Sequence, residues 1–400
     1  MLINLDINRI IKRKKFLFEE ELQQHEKHIT YATQNSSFLV IGAAGSVGHQ
    51  VVKEIVKRSP RKLHAVDLNE NNLAELVRDL RSSELRISGD FRTFVLDAGS
   101  TEFEEYFRNE GPFDFILNLS ALKHVRSEKD PYTLMRMLRI NVLNVDKILK
   151  MASTSKSKKV FSVSTDKAVN PVNIMGATKR IMEILLATHC ETVVVSSSRF
   201  VNVAFSEGSL LWSFLRRLEK GQPLAAPTNI KRYFMTPQES GVFCLLSSIL
   251  AENAELFFPK IENTLVPLDM VEIATRVLNA VGFKPFFTYD ENEAKESLQT
   301  LLKERKWPVY LTSPDTTGEK ELEHLYSPSE PVDLTRYVNI GVLNLRPLKA
   351  QKQAIDTFIQ MVTNLLEGKS WTRGEIVSLI KDLVPEFSHL DTGKFLDEKM

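Results

Sequence analysis

Asp166 and Lys167 are adjacent ionisable residues that directly follow the apolar run KKVFSVST at 158–165. That run reads as a buried strand, so the pair stands where a strand gives way to a loop. From a loop, both side chains can reach one small molecule. An acid and a base on one molecule is what elimination of water requires: a proton leaves one carbon while the hydroxyl on the next is protonated. The bland alternative for the pair is a surface turn. Thr165, beside it, can hydrogen-bond a sugar hydroxyl. The following segment, Met175-Gly176-Ala177-Thr178-Lys179, places Lys179 at the opening of a helix.

A second constellation lies near the other end of the chain. Gly42-Ala43-Ala44-Gly45-Ser46-Val47-Gly48 separates the strand-like run SFLVI (37–41) from the helical segment VGHQVVKEIVKR. Gly42 permits a tight turn, Gly45 lets the backbone approach a pyrophosphate, and Gly48 lets helix pack on strand. The helix N-terminus offers unpaired N–H groups and a positive dipole end. Asp67 ends the next strand-like run, 19 residues after Gly48. A carboxylate there accepts from both ribose hydroxyls and repels a 2′-phosphate, which selects NAD over NADP. Lys179 would then lie within reach of the nicotinamide ribose. Asp97, after a third strand, is either an adenine contact or an ordinary loop carboxylate. The GxxGxxG spacing points to the short-chain dehydrogenase version of this fold.

The elements that must position these residues alternate. Strands are expected at 37–41, 63–68, 93–97, 113–120, 158–165 and 192–200. Between them fall helices with aligned apolar faces, such as Leu73, Leu76 and Leu80, and one long helix from Asp130 to Met151. About 160 residues of strand–helix alternation imply a parallel sheet covered on both faces, hence an α/β doubly wound Rossmann architecture. Beyond residue 200 the alternation fails, which suggests a smaller mixed α/β substrate lobe. The expected organisation is a helical extension at 1–36, a Rossmann domain at 37–200 with later returns near 237–255, a substrate lobe at 201–330 and a mostly helical segment at 331–400. The basic run RIIKRKK at 9–15 is expected in a solvated amphipathic helix leading into the first domain, the sharper alternative being weak attraction to an anionic membrane surface.

Composition narrows the class. The 400 residues are 43% hydrophobic and 26% charged, as in an ordinary globular protein, and 52 Lys+Arg against 51 Asp+Glu leave a net charge of +1. A chain that lives on phosphate backbones carries a basic excess, so nucleic acid is not an expected partner. Cys190 and Cys244 make neither a disulfide framework nor a metal site. No stretch is apolar enough for a membrane span and no secretory signal is visible, so the expected location is cytoplasmic.

The segment STDKAVNPVNIMGATKR (164–180) resembles the signature of nucleotide-sugar 4,6-dehydratases, the polysaccharide-biosynthesis branch of the extended short-chain dehydrogenases. ALKHV (121–125), NV (141–142), Arg199-Phe200-Val201-Asn202-Val203, Arg232-Tyr233-Phe234-Met235-Thr236 and Gly318-Glu319-Lys320-Glu321 resemble further segments of that family. The resemblance covers about residues 37 to 330. It departs at Met175, where short-chain dehydrogenases usually carry a tyrosine four residues before the lysine, at Val201 in place of a glycine, and at Ala204-Phe205-Ser206-Glu207. Methionine at that position resembles the branch that acts on UDP-N-acetylglucosamine with retention at C5. Long members of that branch carry membrane helices and a further domain upstream; this chain reads as a soluble, shorter version.

The resemblance implies an NAD-dependent reaction with no net redox. Hydride moves from C4 to NAD, the C5 proton becomes α to a ketone, water leaves from C5–C6, and hydride returns to C6. Lys167 is the implied base at C5 and Asp166 the acid at the C6 hydroxyl; Thr165, Lys179 through a water, and Lys167 are all open as acceptors of the C4 hydroxyl proton. Lys123 and Arg232 are placed near the UDP phosphates or sugar, or are ordinary surface charges. His124 orients a loop, Asn202 contacts sugar or pyrophosphate, and Glu319 reaches the uridine ribose. Pairing through helices into a homo-oligomer is expected. The rival readings are a UDP-sugar epimerase of the same fold and a non-catalytic nucleotide-binding protein.

Overall fold

A computed structural model describes residues 5–261, 265–313, 320–345 and 349–389. Two helices, α1 (Ile7–Ile10) and α2 (Glu19–Gln34), precede the alternating region. There β1 (Ser37–Ile41), α3 (Ser46–Val56), β2 (Lys62–Asp67), α4 (Glu70–Ser82), β3 (Asp90–Val95), α5 (Thr101–Glu110) and β4 (Phe115–Asn118) follow in order. After β4 come α6 (Pro131–Leu138), a π turn (Arg139–Leu143), α7 (Asn144–Ser155), β5 (Lys159–Thr165), α8 (Ile174–His189) and β6 (Val194–Phe200).

β1 is buried at all five positions, and alternate residues serve opposite faces. Phe38 and Val40 pack with Val51, Ile55 and Leu245, whereas Leu39 and Ile41 pack with Phe103, Met135 and Ile148. Strands buried on both faces need no polar alternation, which is why their sequences read as continuous apolar runs. The order β3-β2-β1-β4-β5-β6 is all parallel, so every strand ends on one edge, and the order reverses between β1 and β4. Ligands bind at such a switch point in open α/β sheets.

The chain then builds the smaller lobe. It contains β7 (Asn202–Val203), α9 (Leu210–Glu219), β8 (Leu224–Pro227), β9 (Lys231–Arg232) and β10 (Phe234–Met235). After α10 (Pro237–Ile249) and β11 (Glu255–Pro259) rejoin the main domain, the lobe resumes with β12 (Leu268–Asp269), α11 (Met270–Ala280), β13 (Lys284–Thr288), α12 (Glu291–Glu296), α13 (Leu298–Lys303) and β14 (Lys306–Thr312). β13, β14 and β8 form a three-stranded parallel sheet over a core of Phe214, Ile273, Val277 and Trp307. β15 (Val332–Asp333) and β16 (Ile340–Asn344) return to the main sheet beside β11, antiparallel. Last come α14 (Lys349–Gly368) and α15 (Arg373–Leu383), whose apolar residues Ile355, Phe358, Ile376 and Ile380 join the core beneath α6 and α8. No helix among the described residues is long and apolar enough to cross a membrane.

Two local expectations change. The helix from Asp130 to Met151 is interrupted by the π turn, which turns Asn141 inward. Its carboxamide accepts from Leu122 N–H at 3.0 Å and donates to Leu122 O and to Thr178 Oγ1, each at 3.0 Å. The basic run is helical only as far as Ile10, and although Arg9, Lys12, Lys14 and Lys15 are exposed, Arg13 is not. Ile10 and Ile11 are buried, the Arg13 guanidinium sits 3.1 Å from Glu239 and donates to Phe234 O at 2.6 Å, and Phe18 stacks on Phe243. An arginine whose charge is met by a buried carboxylate is stable away from water.

Candidate active site

The glycine turn sits where β1 meets the switch point. Gly42 has φ +78°, and a Cβ there would lie 2.8 Å from Ser120 N and 2.9 Å from the Leu119 carbonyl carbon. A Cβ on Gly48 would stand 2.0 Å from Gly42 O, so α3 packs directly on the turn. Gly45 differs: its Cβ would meet only Gly42 O, at an ordinary 3.6 Å. The fold therefore does not itself demand glycine at 45. Gly45 is the N-cap of α3, and no side chain caps that helix. Bare amides, the positive end of a helix dipole and a missing Cβ together fit a pyrophosphate. Val47 contributes its main chain to this first turn, while its side chain packs against the core.

Asp67 ends β2 and braces the turn: its oxygens accept from Ala44 N–H and Asn69 N–H, each at 2.9 Å. Each carboxylate oxygen keeps a further acceptor position. Asp97 accepts from Gly99 N–H at 2.8 Å and from Arg136 at 3.2 Å. Burial pushes its carboxyl up, but those hydrogen bonds outweigh it and hold the pKa below the ordinary value.

At the end of β5, Thr165 caps a single 3-10 turn, Asp166–Ala168. Its hydroxyl donates to Asp166 Oδ1 at 2.8 Å. Lys167 Nζ donates to the same oxygen at 3.0 Å. The side chains do not diverge, because the turn brings both round to one side. Asp166 lies inside, its side chain 3% exposed, and Lys167 stands at the opening, 20% exposed.

α8 is docked onto this turn. A Cβ on Gly176 would come within 2.2 Å of Lys167 O. Asn173 caps the helix by accepting from Gly176 N–H at 2.7 Å. The buried Glu128 carboxylate accepts from Ile174 N–H at 3.0 Å and Met175 N–H at 2.8 Å, a favourable place for negative charge. Met175 is 3% exposed and packs in the core, with no proton to give. One turn on, Lys179 donates to Val163 O at 2.9 Å. Burial pulls its pKa down from 10.5 to about 8, against the pull of Glu183.

The residues expected around the sugar are spread more widely. Asn202 donates to Tyr233 O at 3.2 Å, and with Arg232, Ser206 and Ser209 it lines a cavity of about 200 Å³. Arg232 donates to Lys231 O at 2.9 Å and Glu321 O at 3.0 Å. Lys123 donates to Glu207 O at 2.9 Å. His124 lies against Gly208, where a Cβ would come within 2.8 Å of the imidazole. These two residues thus support the loop around Glu207 and Gly208. Ser46 supports it from the opposite side, its hydroxyl accepting from Glu207 N–H at 2.9 Å. Glu319 lies outside the described residues.

Behind the reactive strand end is a charged shell that sequence reasoning missed. Arg199, fully buried on β6, donates to both Glu183 oxygens at 2.9 and 2.7 Å and to both Glu330 oxygens at 2.7 Å. Glu183 also accepts from Ser164 at 2.6 Å. The signal was present: an arginine inside an apolar strand requires a carboxylate partner, and Glu183 follows Lys179 by one helical turn.

A GxxGxxG turn after β1, a carboxylate closing β2 and a buried lysine in the first turns of α8, all on one parallel edge, make this a doubly wound Rossmann-fold protein with the elements of a dinucleotide seat. The chain belongs to the polysaccharide biosynthesis protein family, whose model matches residues 38–339. It is 31% identical over 261 residues to an uncharacterized membrane protein of Methanocaldococcus jannaschii, covering 63% of this chain and 74% of that one. The capsular polysaccharide biosynthesis protein CapD of Staphylococcus aureus is 28% identical over 70% of this chain, which spans 47% of that relative's length. The inverting UDP-N-acetylglucosamine 4,6-dehydratase of Campylobacter jejuni is 23% identical, covering 79% of this chain and 89% of that one.

Solved structures share the fold. Pen from Bacillus thuringiensis aligns with TM-score 0.64 at 20% identity, over 79% of this chain and 89% of that one. The dTDP-glucose 4,6-dehydratase DesIV of Streptomyces venezuelae, solved with NAD, gives 0.55 at 17% identity, over 72% and 87%. The UDP-glucose 4-epimerase of Thermus thermophilus, also with NAD, gives 0.54 at 17% identity, over 73% and 90%.

Proposed function

We propose that this protein is an NAD-dependent nucleotide-sugar 4,6-dehydratase that converts UDP-N-acetylglucosamine to a UDP-4-keto-6-deoxy-N-acetylhexosamine for surface polysaccharide or glycan synthesis. The observation that carries the reading is the Asp166–Lys167 hydrogen bond at 3.0 Å on the turn that ends β5. Residues 42–48 would hold the pyrophosphate, Asp67 the adenosine ribose, Asp97 the adenine side and Lys179 the nicotinamide ribose. NAD, when bound, supplies the reversible oxidation at C4 that makes the C5 proton acidic.

The chain's own groups then handle protons. The proton shed by the C4 hydroxyl would pass to Asp166, which gives it to the departing C6 hydroxyl while the Lys167 amine takes the C5 proton. Those two transfers leave a carboxylate–ammonium pair. Lys167 then returns its proton to C5 as C6 is reduced. The proton shed by the C4 hydroxyl balances the one given to water, and the Thr165 hydroxyl, bonded to Asp166 Oδ1 at 2.8 Å, supports a route for it. Each positioned transfer contributes roughly 10²–10⁴-fold. Met175, buried and aprotic, takes no part in proton transfer. Asn202 and Arg232 would hold the substrate beside the lobe cavity.

Incubation with UDP-N-acetylglucosamine and NAD tests the reading by product mass and deuterium uptake from heavy water. The expected product has lost one water and carries solvent deuterium at C5. An epimer of unchanged mass would instead establish the epimerase reading that the same fold allows.

A further inference from the structure

The loop 169–173, between the reactive turn and α8, belongs to neither strand nor helix, and Asn170 within it has φ +43°. Such a loop is held by whatever its backbone groups can find. On one flank Lys320 donates to Val169 O at 2.8 Å. On the other, Ser388 N–H donates to Pro171 O at 3.1 Å. That second bond comes from the segment after α15.

The same C-terminal segment touches the surroundings of the loop repeatedly. The Trp371 indole donates to Pro131 O at 3.0 Å, at the start of α6. Arg373 donates to Glu128 O at 3.3 Å, and His389 lies 4.0 Å from the Glu128 carboxylate that caps α8. Glu386 accepts from Arg180, the neighbour of Lys179, at 3.0 Å. Three of these contacts land on the carbonyls of Pro171, Pro131 and Glu128 and two on the Glu128 and Arg180 side chains, beside the apolar packing of Ile376 and Ile380 in the core.

We propose that residues 371–389 form a positioning strap that fixes the loop between Lys167 and Met175, and thereby holds the acid–base pair against the nicotinamide edge. The proposal rests on the dehydratase reading for its effect on turnover and on the geometry alone for its effect on the loop. The strap touches no reacting atom; it acts through Pro171, Glu128 and Arg180.

The test uses the full chain. Ser388→Pro deletes the amide that holds Pro171 O, whereas Ser388→Ala keeps it and changes only an exposed side chain. Glu386→Gln is the second variant and removes the charge that the C-terminal segment presents to Arg180, which keeps Glu183 and Glu330. Deuterium exchange of amides 168–176 should quicken about tenfold or more in Ser388→Pro and Glu386→Gln, with the glycine turn unaffected. kcat should fall about tenfold while KM for the UDP-sugar and the Kd for NAD stay within about threefold, since a mispositioned base costs turnover and not binding. Ser388→Ala should match the wild type in every measurement. Unchanged exchange in both damaging variants, or equal damage from Ser388→Ala, overturns the strap. If the wild type removes no water from UDP-N-acetylglucosamine, the dehydratase reading fails, and the exchange comparison by itself upholds or sinks the strap.

Discussion

Lys179 lies in a buried setting with one carbonyl partner and a pKa of about 8 against an ordinary 10.5. Between those values the unfolded chain binds a proton that the folded chain has released. Stability from this group therefore rises with pH through that window and is at its lowest below it. Urea unfolding at pH 7.5 and 9.5 should show a gain of stability in the wild type that is smaller in Lys179→Met. For the reactive pair, Asp166→Asn and Lys167→Ala should each lower kcat by at least about 100-fold while NAD still binds, measured by turnover and by calorimetric titration. Full turnover in either variant removes that residue from the reaction. The adjacency of Asp166 and Lys167 was readable in the sequence; their mutual hydrogen bond was not, because it depends on the single 3-10 turn that Thr165 caps. The resting place of Lys123 was equally hidden, since nothing local says that its ammonium will find the carbonyl of residue 207.

Among the elements, the glycine turn separates two demands that a motif merges. Gly48→Ala places a methyl 2.0 Å from Gly42 O and should destabilise the fold itself. Gly45→Ala meets nothing closer than 3.6 Å, so its melting temperature should stay near that of the wild type while the Kd for NAD rises about tenfold or more. A large loss of melting temperature in Gly45→Ala would show that the turn needs this glycine for folding and not for a ligand. The strands and their order were legible because parallel strands buried on both faces are continuous apolar runs between amphipathic helices. The break at Arg139–Leu143 was not, because a π turn inserts one residue without disturbing the apolar periodicity on either side. The burial of Arg13 within the basic run at 9–15 was hidden for a related reason: residue type suggests solvent, and the partner that permits burial, Glu239, lies more than two hundred residues away.

Across the whole molecule, Arg199 joins β6 to α8 through Glu183 and to the segment after the lobe through Glu330 and Leu325 O. Removing the arginine leaves the fully buried Glu183 and the partly buried Glu330 with Arg180 as the cation they share. Arg199→Met should therefore cost roughly 3–5 kcal/mol in urea unfolding, the range for breaking a buried pair, and Glu330→Gln less, because Glu183 remains. Which faces α14 and α15 cover was beyond sequence reasoning: an apolar stripe declares that a helix is buried, not against what. The same holds for the loop that begins at Ala204, which connects both halves of the molecule. Its residue Glu207 offers its amide to Ser46 on the first turn of α3 and its carbonyl to Lys123, while Ser206 and Ser209 line the lobe cavity. One short segment thus touches both proposed ligand seats, and the expectation is that occupation of one registers at the other. Thermodynamic reciprocity makes the factor by which NAD changes the affinity for UDP equal to the factor by which UDP changes that for NAD. A loop ordered by either ligand favours the other, so titrating UDP with and without saturating NAD should show a lower Kd in its presence, and an equal Kd would show that the seats are independent.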